Sequence, residues 1–166
     1  MNAFWSYFWP AFGGGLAVGI IAGAFAFRKR ANRNSALAIG VAATIALAAL
    51  WHGPLGAANR FTAEVEHEVR ATIVFWEIPQ VSSHLHRGPL TRHVNLSGPA
   101  DDFQRSELVR LIDEVPGVES TGWSPDSGGL PLIVEGALAA LLGFLLGLLV
   151  AYLRELRRRY NAQWNW

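Results

Sequence analysis

The sequence predicts a three-helix α-helical membrane anchor with one small soluble α+β domain, of order α-β-β-α-β, inserted between transmembrane helices 2 and 3. Three observations predict it. Three long runs are almost free of charge. Two basic blocks follow the first and third of them: Arg28, Lys29, Arg30 and Arg33, then Arg154, Arg157, Arg158 and Arg159. Between the second run and the third, the apolar residues recur at intervals instead of continuously. With 51% hydrophobic and 16% charged residues in 166, the chain is too apolar for a small soluble fold.

The first run extends from about Phe4 to Phe27. At 1.5 Å per residue it is long enough for a hydrocarbon core of roughly 30 Å. The second runs from about Ala36 to Leu55 and the third from about Leu130 to Leu153, with Glu135 as its one ionisable residue. These limits divide the chain into residues 1–58, holding two spans and a basic loop at 28–35, an outer domain at 59–128, and a last span with its basic tail at 129–166. Met1-Asn2-Ala3-Phe4-Trp5 carries no basic residue before the apolar run, so a cleaved signal peptide is not expected.

The positive-inside bias places the 28–35 loop and the C-terminal tail in the cytoplasm of a bacterial inner membrane. The N-terminus and residues 51–129 then fall on the periplasmic side. Trp5, Tyr7, Trp9 and Trp51 sit at the outer interface on this reading, and Tyr152 and Tyr160 at the inner one. The arginines of the tail lie against anionic lipid headgroups, each worth about 1 kcal/mol near the surface. The aromatic end Trp164 to Trp166 is open to a protein partner.

Gly15, Gly19 and Gly23 recur every four residues in the first span, and Ala139, Gly143 and Gly147 do so in the third. Such stripes let helix backbones approach closely in lipid. They suit packing within the chain or contact with another membrane subunit or a second copy. Glu135 comes about one turn into the third span, within reach of the level of His52 and Arg60. That depth makes it an interfacial carboxylate.

The outer segment from Arg60 to Asp126 holds six arginines against eleven carboxylates, a balance of −5, which excludes a nucleic-acid partner. Phe61, Val65, Val69, Thr72, Ile73 and Trp76 form a helical stripe that stops before Pro79. A hairpin follows, with Val81, Leu85, Val94 and Leu96 alternating on either side of the turn Arg87-Gly88-Pro89. Asp101 and Gln104 have capping-box spacing ahead of a second helix with the stripe Leu108, Leu111, Ile112 and Val115. Pro116-Gly117 ends that helix, and Val118 to Trp123 reads as a third strand. The run from Ser124 to Gly129 returns the chain to the membrane.

Val94-Asn95-Leu96-Ser97-Gly98 before the second helix, and Val115-Pro116-Gly117-Val118 after it, resemble the pattern of the BON domain family. The resemblance covers residues 59–123 and none of the spans. Ser120 and Gly122 stand where that family alternates apolar residues. It implies a periplasmic adaptor that binds membranes, lipids or other envelope proteins, with no catalytic residues and no cofactor.

Candidate chemistry is sparse. The chain has no cysteine, which removes disulfides and thiolate ligands. His84, His86 and His93 are the one candidate metal set, since two lie on one strand and the third on its hairpin partner. His67, among Glu64, Glu66 and Glu68, reads with them as a pH-sensing candidate, and the three glutamates otherwise as a solvated helix face. No phosphate loop or nucleophile elbow is present. The sequence therefore points to a non-enzymatic adaptor or accessory subunit of a larger membrane complex. The alternative is a subunit of an oligomeric small channel or transporter, with Glu135 near the pore.

Overall fold

A computed structural model of the chain describes residues 2–28, 32–124 and 129–163. Lys29 and Arg30, the middle of the 124–129 return, and Trp164 to Trp166 lie outside the described residues. The elements, in order, are α1 (Ala3–Arg28), α2 (Arg33–His52), α3 (Ala57–Phe75), β1 (Ser82–Arg87), β2 (Leu90–Ser97), α4 (Asp102–Asp113), β3 (Ser120–Gly122) and α5 (Leu132–Gln163). Helices α1, α2 and α5 are long and apolar enough to cross a membrane.

The expectation of an α-β-β-α-β domain inserted between two spans is corrected. The molecule is mostly helical, of order α-α-α-β-β-α-β-α. The compact unit that contains the sheet is not confined to the stretch between the spans. It takes in residues 1–7 and 56–135, and so includes the first turns of α1 and α5. The physical reason is packing: Ala3 and Tyr7 of α1 and Leu132 of α5 are fully buried, and Tyr7 meets the Phe61 ring edge to face at 5.6 Å. The Tyr7 hydroxyl donates to the Leu132 carbonyl at 3.3 Å.

In this sheet-containing unit β2 is the central strand, antiparallel to β1 and parallel to β3. Val81, Leu85, Val94 and Leu96 are buried, together with Phe61, Val65, Val69 and Ile73 of α3 and Leu108 and Ile112 of α4. Asp101 accepts from the Gln104 N–H at 2.7 Å while Gln104 accepts from the Asp101 N–H at 3.1 Å, so both bonds of the capping box start α4. Gly98 and Gly117 both have positive φ, at 135° and 107°. A Cβ on Gly98 would lie 2.6 Å from the Gln80 carbonyl oxygen, and one on Gly117 2.9 Å from Val65. Both turns therefore require glycine.

The other unit, residues 8–55 and 136–166, is purely helical. Its buried positions are mostly small residues, among them Ala11, Gly15 and Gly19 of α1, Gly40, Thr44 and Ala48 of α2, and Ala140, Gly143 and Gly147 of α5. Large side chains such as Ile39, Ile45, Leu142, Leu145 and Leu149 point outward. This inversion suits a helix bundle in lipid, where close backbone contact replaces the hydrophobic effect as the source of cohesion.

Candidate functional site

The most enclosed ion pair among the described residues of the sheet-containing unit is centred on Arg92. Its Nε donates to Glu135 Oε2 at 2.7 Å and its Nη2 to Glu135 Oε1 at 3.2 Å, a bidentate pair. The two side chains are only 17% and 13% exposed. Glu119 approaches the same guanidinium at 3.7 Å, and the Phe4 ring covers it at 5.7 Å. Local structure brings these groups together. The Glu119 N–H donates to the Arg92 carbonyl as β3 is entered, and Thr91 bridges to Pro131 just ahead of α5.

Glu135 was the carboxylate that the sequence singled out, and Arg92 is the residue that holds it. Nothing local marks Arg92, because its partner is 43 positions away and the strand around it is otherwise buried. Glu119 and Phe4 are equally silent in the sequence.

The acidic face of α3 is more committed than a solvated face. Glu66 accepts from the Leu85 N–H at 3.1 Å and from Arg87 Nη2 at 2.9 Å, which satisfies a donor on edge strand β1. Glu64 is within 3.4 Å of the Ser6 hydroxyl. The Glu68 carboxylate has no ion pair or hydrogen bond among the described residues.

His84, His86 and His93 do not assemble as a ligand set. A bulge between Leu85 and Arg87 breaks the strand alternation at His86. His84 is exposed, whereas His93 is buried, with Nδ1 bonded to the Ser120 hydroxyl at 2.8 Å. No group of three metal-ligating side chains occurs among the described residues.

In the helical unit, the two stripes meet. A Cβ on Gly15 or Gly19 would run into the backbone of Ala140 or Phe144, and one on Gly143 or Gly147 into the carbonyl of Phe12 or Leu16. Ala139 is only half-buried, and Ala140 takes the place expected for it. The stripe of α2, Gly40, Thr44 and Ala48, was missed although its four-residue spacing was readable. Of the basic groups, Arg28, Arg33, Arg154 and Arg157 are exposed. Arg158 and Arg159, also exposed, share Glu155 at 2.8 and 3.0 Å, and Arg159 donates to the Phe27 carbonyl at 3.1 Å.

The surface of the sheet-containing unit is apolar at the end of α3. Val74, Phe75 and Trp76 are consecutive and 52%, 79% and 49% exposed. Trp76, counted in the buried stripe from its spacing, lies at the C-cap, where the helix has ended and its periodicity no longer directs the side chain inward.

No family model, curated protein or solved structure matches the chain significantly.

Proposed function

We propose that the chain is a non-enzymatic accessory subunit of a larger complex in the bacterial inner membrane, an adaptor whose periplasmic outer unit binds an envelope protein. The observation that carries this reading is the run Val74–Phe75–Trp76, large apolar side chains left open on a part of the chain outside the three apolar helices. Contiguous apolar surface of this kind marks interaction sites. The resemblance of Val94 to Gly98 and Val115 to Val118 to the BON family points to the same envelope role. The positive-inside bias of the basic loop and tail supports a cytoplasmic 28–35 segment and C-terminus, where the exposed Arg28, Arg33, Arg154 and Arg157 would meet anionic headgroups.

The bidentate pair with Arg92 supports a structural role for Glu135 over a pore-lining one, because the carboxylate is already engaged by a guanidinium at 2.7 Å. Purification of the full chain from native membranes in mild detergent tests the proposal. The expected result is a stoichiometric larger assembly containing other proteins. Recovery of an isolated monomer would refute it.

A further inference from the structure

The exposed aromatic pair does not stand alone. Phe75 and Trp76, which meet edge to face at 5.9 Å, form one wall of a groove of about 580 Å³ whose other wall is the end of α4, with Leu111 and Val115. Two carboxylates, Glu68 and Glu114, line the same groove. Glu114 is reached only loosely by Arg110, at 3.8 Å, and Glu68 is half-buried without a side-chain partner among the described residues.

A carboxylate beside aromatic rings in an apolar groove is the chemistry that receives a cation. The acids attract the charge, the ring faces stabilise it further, and the apolar walls bury the neighbouring aliphatic side chains. We infer that the groove between the C-terminal ends of α3 and α4 binds a basic, apolar peptide segment of a partner protein, with an arginine or lysine against Glu68, Glu114 and Trp76. This inference rests on the adaptor reading and names the chemistry of its partner. Charge complementarity selects the occupant. Glu68 and Glu114, with Glu77 next to Trp76, would repel an anionic bilayer, which argues against the same aromatics being a membrane anchor.

The test uses the full chain in lipid nanodiscs and a fluorescent synthetic peptide of alternating leucine and arginine, with its leucine and glutamate counterpart as control. The expected result is saturable binding of the cationic peptide alone, weakened roughly tenfold or more by Glu68→Lys and by Trp76→Ser. Both positions are partly solvent-exposed, and unchanged melting of each variant verifies the fold. Glu114→Gln is the second variant should Glu68→Lys fail to fold. Equal binding to wild type and variants, or none to either, would overturn the inference. So would quenching by brominated lipids of a fluorophore placed on Phe75→Cys, because the bilayer would then be the occupant. If the chain still purifies in a larger assembly while the peptide fails to bind, the groove assignment falls and the adaptor reading stands. If the peptide binds but no partner co-purifies, the groove stands and the adaptor reading falls.

Discussion

Arg92 meets Glu135 through two nitrogens inside a partly closed space, so each charge depends on the other for the solvation that water no longer supplies. Removing one partner costs more than removing both, since the survivor is left without compensation. Arg92→Met is expected to destabilise the sheet-containing unit by about 2 kcal/mol, and adding Glu135→Met is expected to recover part of that loss. Thermal unfolding of the full chain in mild detergent checks both. An unchanged midpoint for Arg92→Met would mean that the pair carries no stability. At this scale the sequence was legible where the signal was local. Asp101 and Gln104 sit three residues apart and form the capping box that their spacing implies. Gly98 and Gly117, the two glycines that mark the family-like motif, both occupy positive-φ turns. Arg92 was not legible, because recognising it requires knowing that β2 lies beside the start of α5.

Among the elements, periodicity was readable in both the hairpin, where Val81, Leu85, Val94 and Leu96 are buried, and the first helix. In α1 a strict four-residue spacing defines which side is buried, and the same rule would have found Gly40, Thr44 and Ala48 in α2. The error at Ala139 has a simple cause. The true α5 stripe shifts by three residues between Ala140 and Gly143 and by four thereafter, as a period of 3.6 demands. Substitutions separate contact from propensity. Gly147→Ala places a methyl against the Leu16 carbonyl, and overpacking of this kind costs about 1–3 kcal/mol. A Cβ on Gly13 meets nothing, so Gly13→Ala is expected to be neutral or mildly stabilising by its helix propensity. Melting the two variants side by side checks this, and equal losses would mean that the glycines are not packed as described. Strand β3 was harder to place, because it is only three residues long and pairs in parallel across α4. The bulge at His86 was likewise invisible, and it breaks the simple alternation on which His84, His86 and His93 were candidates.

For the whole molecule, charge and hydropathy revealed three apolar helices and an amphipathic segment between the second and the third, but not that the sheet-containing unit is built partly from the ends of those helices. Tyr7 reads as an interfacial aromatic and Leu132 as an ordinary apolar span residue, and only the contacts of Tyr7 with Phe61 and the Leu132 carbonyl show their second role. The absence of cysteine makes the topology directly accessible. Single cysteines at Asn34 and at His84, probed with a membrane-impermeant maleimide in spheroplasts, are expected to label only at His84 until the membrane is broken. Labelling at Asn34 in intact spheroplasts would invert the orientation. The claim that the outer unit is a docking module meets its most direct test in living cells, with a photo-activated cross-linker at position 75 and another at exposed His84 as a control. The expected result is a discrete protein adduct of reproducible mass from position 75 and none from position 84. No adduct from position 75, or the same diffuse adducts from both, would contradict it.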